Sequence, residues 1–208
     1  MLAPDTLIPF LGAAVLVTVA PGPDNLMVLS VGASRGRLAG MAFGLGCALG
    51  CLSHTLLAAL GVSAAIAASP VAFTVLRVLG GLYLVRLGWL ALRSRGEGPA
   101  GGAAPPQDSP ARFFRRGLLA NAINPKVILF FLAFLPQFVR PDRGEVPWQI
   151  VQLGGLFTLQ AVVLFGALGY FAGQVGRWLG RYARAGLWLD RTAGAIFLLL
   201  GVKLVASF

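Results

Sequence analysis

Charge is what this sequence has least of, and acid above all. Of its 208 residues 12% are charged, with 7 Asp and Glu against 17 Lys and Arg, a single His and 2 Cys. So few acids leave little from which to build paired carboxylates. No nucleophile stands beside a base, so the sequence argues against an enzyme. A hydrophobic content of 57% and a mean hydropathy of +0.81 exclude an ordinary soluble domain and point to an integral protein of the lipid bilayer. The net charge of +10 does not indicate nucleic acid, because the arginines fall in short clusters between apolar stretches and no soluble basic face is available. Met1-Leu2-Ala3-Pro4-Asp5 puts no positive charge ahead of the first apolar run, so a cleaved signal peptide is not expected. Cys47, Cys51 and His54 share a helix face at i, i+4 and i+7. The stronger reading is two small buried apolar groups and a packed histidine rather than a metal set, so no metal or cofactor is expected; a proton-relaying histidine stays open.

A bilayer core of about 30 Å takes roughly 20 apolar residues per helix. Six stretches meet that length, at about 6–34, 38–66, 70–92, 113–139, 148–176 and 187–207. They make one transmembrane domain over 1–208: a first repeat of about 6–92, a flexible Gly/Pro-rich linker of about 93–112 carrying Glu97, and a second repeat of about 113–208. Basic residues gather after the first, third and fifth stretches, from Arg35 and Arg37 through Arg93, Arg95, Arg112, Arg115 and Arg116 to Arg177, Arg181, Arg184 and Arg191. The positive-inside rule makes those loops cytoplasmic and leaves both termini on the outer side. Three helices per half is an odd number, so two structural repeats must insert with opposite topology. Gly81-x6-Gly88 and Gly194-x6-Gly201 occupy matching places in the two halves. Small-residue stripes, Gly36-x3-Gly40-x3-Gly44 and Gly166, Gly169, Gly173, Gly176, read as packing within the monomer and leave a homodimer seam open.

Prolines interrupt the first and fourth stretches, at Pro21-Gly22-Pro23 and at Asn124-Pro125. Proline removes an amide donor and blocks the preceding turn, so neither helix can run on unbroken. The freed carbonyls near Thr18 and Val19 need partners that lipid cannot supply, which restricts such backbone to a protein interior or a wet cavity. Beside each break sits one charge: Asp24 is alone between Thr6 and Ser34, and Lys126 alone between Gly117 and Val139. Asp24 lies 11 residues before Arg35 and Lys126 lies 10 after Arg116, so both are roughly 15 Å from the cytoplasmic edge, near the midplane. A charge there costs at least about 2.5 kcal/mol, so each should face a cavity, a partner or the other. The expectation is that Asp24 and Lys126 neutralise one another when the site is empty and exchange partners with a zwitterion. Asp24 with the unwound carbonyls suits an ammonium, and Lys126 with the helix-start amides suits a carboxylate. Asn25, Asn121 and Asn124 add hydrogen bonds, and Asp24 is the candidate for proton coupling.

These motifs resemble a known family. Pro21-Gly22-Pro23-Asp24-Asn25-Leu26, the run from Gly81-x-Tyr83-Leu84 to Gly88-Trp89, Asn124-Pro125-Lys126 leading to Phe134-Leu135-Pro136-Gln137-Phe138, and Gly201-Val202-Lys203-Leu204 are similar to the LysE/RhtB family of bacterial amino-acid exporters. The resemblance covers nearly the whole chain in order. It implies an all-α integral membrane protein with six transmembrane helices in two inverted-topology three-helix repeats, the first and fourth helices broken. It further implies a secondary transporter of the bacterial inner membrane that exports an amino acid or close derivative by proton antiport. The substrate-binding set would be Pro21, Gly22, Pro23, Asp24, Asn25, Asn121, Asn124, Pro125 and Lys126. The competing expectation is a passive channel or structural membrane subunit.

Overall fold

The computed structural model describes residues 4–94, 108–181 and 183–206. Arg95, Glu97 and most of the expected linker lie outside the described residues. Within them every regular element is helical: α1 Pro4–Val19, α2 Pro23–Arg35, α3 Arg37–Ala68, α4 Pro70–Arg93, α5 Pro110–Ala122, α6 Pro125–Leu129, α7 Val146–Tyr170, α8 Ala172–Arg181 and α9 Ala183–Ala206. A π-helical turn, Phe130–Phe134, and a 3-10 turn, Leu135–Phe138, prolong α6.

Both proline breaks bend the chain where the sequence places them. α1 and α2 meet at 55°, and α5 meets the segment Pro125–Phe138 at 50°. Each second half begins with proline at its first helical position, where the missing amide costs nothing. By length and composition, Arg37–Gly61 and α7 can each cross a membrane, and counting each bent pair as one span brings the total to four. α4 and α9 have 24 residues apiece and carry charges within them, Arg77 and Arg86 in one and Arg184, Asp190, Arg191 and Lys203 in the other. The fifth stretch, longer than one span needs, is interrupted. It does not run through 148–176 but breaks at Phe171, because Gln174, Arg177 and Arg181 turn the rest into a short amphipathic helix. Ala172 fills the space that a side chain at Gly32 would need, so α8 folds against α2.

The glycine stripes are seams inside the monomer. A Cβ on Gly81 would stand 3.0 Å from the Gly201 carbonyl oxygen, and one on Gly88 would stand 2.7 Å from that of Gly194. The antiparallel helices α4 and α9 therefore touch through bare backbone. α3 packs on α7 through Gly40 and Gly169, and on α5 through Gly46 and Gly117. Gly166, by contrast, faces open space. The one-residue link between α2 and α3 is Gly36, whose φ of 89° a side chain would rarely tolerate. Around the second break the core is aromatic: Phe10 meets Phe138 at 5.3 Å edge-on, and Phe131 meets Phe157 at 5.0 Å.

Candidate functional site

The two breaks face each other, and the backbone groups they free are satisfied by the polar residues beside them. Asn25 Nδ2 donates to the Thr18 carbonyl at 2.8 Å. Lys126 Nζ donates to the Ala20 carbonyl at 2.7 Å, reaching from α6 to the C-terminal end of α1. A cation suits that place, since the last carbonyls of a helix carry its partial negative charge. The Asn124 side chain accepts from the Lys126 amide at 3.0 Å and so caps α6. Lys126 Nζ also lies 5.7 Å from the centre of the Phe197 ring.

Asp24 sits in the first turn of α2, buried to 4% exposure, and accepts a 2.7 Å hydrogen bond from Asn121 Nδ2. Here the structure departs from expectation. None of the three ion pairs among the described residues includes Asp24 or Lys126, so the two charges do not join directly. The physical reason is that each is already held by a neutral partner: Asn121 satisfies the carboxylate, and the Ala20 carbonyl, orphaned by Pro21-Gly22-Pro23, captures the ammonium.

Asp24, Asn25, Asn121, Asn124 and Lys126 nonetheless line one chamber, together with Thr18 and Cys51, walled by Val17, Val127, Phe157 and Phe165. Its free volume is about 10 Å³, room for about one water. On the other side of Lys126 lies an open vestibule of about 660 Å³. Pro21, Gly22, Pro23, Asn124, Pro125 and Lys126 form its floor. Leu26, Met27, Tyr83, Leu87 and Phe197 give it apolar walls, with Ser94, just past the end of α4, and Asp190, within the first half of α9, beside them. The Ser94 hydroxyl donates to the Asp190 carboxylate there. Lys126 and Asn124 border both spaces.

Further polar groups border these residues. Thr18 is doubly used, accepting from Asn25 through its carbonyl and from Gln160 Nε2 through its hydroxyl at 2.8 Å. Cys51 Sγ lies 3.6 Å from Asn121 Oδ1, and His54 Nε2 lies 3.0 Å from the Asn121 backbone oxygen. Their spacing along α3 was the available signal. The vestibule pair Ser94 and Asp190 left none, because 96 residues separate them.

Comparison with known proteins gives a consistent picture. The LysE type translocator family matches residues 15–207. An uncharacterized membrane protein of Pseudomonas aeruginosa is 33% identical over 200 residues, covering 93% of this chain and 91% of its own. The threonine efflux protein of Escherichia coli K12 is 34% identical over 197 residues, covering 93% and 94%. The leucine efflux protein of Enterobacter sp. strain 638 is 35% identical over 130 residues, covering 61% and 60%. No solved structure matches the chain.

Proposed function

We propose, since this chain belongs to the LysE type translocator family, that it exports an amino acid or close derivative across the bacterial cytoplasmic membrane in exchange for protons. It is a transporter rather than an enzyme, as its efflux relatives are by name. The six spans are α1 with α2, α3, α4, the run from α5 to Phe138, α7 with α8, and α9, in two halves of opposite topology. What supports that division is the α4 and α9 seam. Gly81 meets Gly201 while Gly88 meets Gly194, the reciprocal pairing a two-fold axis requires when Gly81 and Gly88 correspond to Gly194 and Gly201.

The vestibule opens beside Ser94 and Asp190, at the helix ends where the arginines gather, which the positive-inside rule assigns to the cytoplasm. The termini then lie outside. In this reading the molecule is open inward with its acid closed off. A cytoplasmic amino acid enters the vestibule, its carboxylate draws Lys126 Nζ from the Ala20 carbonyl, and the chamber behind the lysine opens to the ammonium, which pairs with Asp24. A single acid beside the site favours a neutral amino acid. The observation that carries this reading is that Lys126 borders both vestibule and chamber, with Asp24 on the chamber's wall.

Counterflow in proteoliposomes, with a panel of labelled amino acids, tests it. Wild type should exchange at least one of them, and Asp24→Asn and Lys126→Ala should each depress exchange. If every amino acid fails while another solute class moves, the cargo is wrong; if both variants match wild type, the site is elsewhere. A passive channel would instead give flux that neither saturates nor responds to a pH gradient.

A further inference from the structure

His54 is the one histidine of the chain, and nothing in the cycle above uses it. It is 1% exposed, on α3 one turn beyond Cys51 and farther from the arginine-bearing end of that helix. Its partner settles the tautomer. The Asn121 backbone oxygen, 3.0 Å from Nε2, can only accept, so Nε2 carries the hydrogen and Nδ1 of the neutral ring is a bare lone pair. Among the described residues Nδ1 has no hydrogen-bond partner, although the atom is fully buried. An empty buried acceptor destabilises the fold, a burden that a purely structural histidine need not carry.

Asn121 joins this ring to the acid. Its backbone oxygen takes the His54 hydrogen, its amide donates to Asp24 at 2.7 Å, and its side-chain oxygen lies against Cys51. The charged group acting on His54 is Asp24, on α2. The other facing groups bring no charge: Cys51 on its own helix, Asn121 on α5, and Phe131 of the π-helical turn at 5.8 Å between ring centres, with Phe157 of α7 behind it. A proton on Nδ1 therefore has one source of favourable field, the Asp24 carboxylate. A cargo ammonium resting on Asp24 uses that same field.

We infer that His54 carries the coupled proton, bound at Nδ1 and in competition with the cargo's ammonium for the charge of Asp24; the inference rests on the exporter reading above. With the chamber empty and facing outward, water delivers a proton to Nδ1: an O–H bond of a hydronium breaks, an N–H bond forms, and the imidazolium balances Asp24. When an ammonium arrives from the cytoplasm, two cations face one carboxylate, and the Nδ1 proton leaves to water as hydronium. One proton moves inward for each cargo moved outward. Competition of this kind is reciprocal, so a proton that weakens cargo binding is itself released by cargo.

The test is His54→Gln in proteoliposomes, because the glutamine amide reaches the Nε2 position and can still donate to Asn121 while having nothing to titrate. The expected variant retains counterflow within about fivefold, loses accumulation driven by a pH gradient, and shows a KM independent of pH. Wild-type KM should rise toward about tenfold per pH unit on the acid side, the limit for displacement of one proton. If His54→Gln accumulates cargo under a pH gradient as wild type does, or keeps the wild-type dependence of KM on pH, the inference fails while the exporter reading stands. If the variant, folded by its melting temperature, loses counterflow as well, His54 is scaffold and the inference also fails. Wild-type accumulation that ignores the gradient overturns proton antiport and this inference together.

Discussion

Lys126→Met is the most informative single change. Methionine keeps most of the buried aliphatic stem and removes only the ammonium, so the wall between vestibule and chamber stays filled. In the empty protein the lost interaction is the 2.7 Å bond to the Ala20 carbonyl, a charge-assisted hydrogen bond of about 1.5–3 kcal/mol. A cargo carboxylate that takes the place of that carbonyl gains an ion pair of about 4 kcal/mol at 4 Å and an effective dielectric constant near 20, a net gain over the carbonyl of about 1–2.5 kcal/mol, and 1.4 kcal/mol is a factor of ten in affinity. Cargo should therefore bind Lys126→Met about fivefold to fiftyfold more weakly, as read by direct binding to purified protein in detergent. The control is on the ligand. An amino-acid amide, which has no carboxylate, should bind wild type and Lys126→Met alike. Cargo affinity within about threefold of wild type, or an equal loss for acid and amide, would refute the assignment of the carboxylate to Lys126. Lys126→Arg should not restore function. Nζ already lies 3.1 Å from where a Cβ on Gly22 would stand, leaving no room for a planar guanidinium at the break.

Asp24→Asn should fold like wild type, because an asparagine oxygen can still accept from Asn121 Nδ2, yet it should lose most cargo exchange; a variant with wild-type counterflow would place the ammonium elsewhere. Gly88→Ala should lower the melting temperature in detergent by an amount equivalent to about 1–3 kcal/mol, since its Cβ would press on the Gly194 carbonyl, whereas Gly166→Ala, facing open space, should be neutral or slightly stabilising. Equal effects would remove the seam as an explanation. Arg143 ties the start of α1 to the turn before α7 through three bonds of 3.0–3.1 Å to the Asp5 carboxylate and holds that carboxyl below its ordinary range. A lowered folded value means stability present above the unfolded pKa of about 3.9 and lost as pH falls through the lower one. The melting difference between wild type and Arg143→Gln should be small at pH 7, smaller in high salt, and should shrink progressively as pH falls below the ordinary carboxylate range.

Much of the fold was legible because its determinants are local. Pro21-Gly22-Pro23 and Asn124-Pro125 break helices whatever surrounds them, and the structure bends the chain at both. The need to satisfy Thr18 was also readable, and Asn25, seven residues on, does so. What escaped depends on contacts remote in sequence. Lys126 pairs with Ala20 rather than Asp24 across 106 residues, and Asn121 meets Asp24 across 97. Charge sign alone suggested a salt bridge. It left out that a broken helix exposes carbonyls that compete for a cation. The length of the fifth stretch invited a break, but hydropathy averaged over 148–176 conceals where it falls, at the change from an apolar to an amphipathic pattern at Phe171.

The separation of the two charges has an energetic consequence for turnover. At 4 Å and an effective dielectric constant near 20, an Asp–Lys pair would hold together with about 4 kcal/mol. Any zwitterion entering such a site would have to part that pair before gaining either of its own. Here the acid rests on an amide and the ammonium on a carbonyl, each a single hydrogen bond. In the proposed cycle the cargo therefore exchanges two neutral partners for two charged ones and breaks no ion pair on the way in. On release, Asn121 and Ala20 are already in place to receive the charges again. A carrier must let go as readily as it binds, and holding its two ionic groups apart on neutral partners keeps both steps shallow.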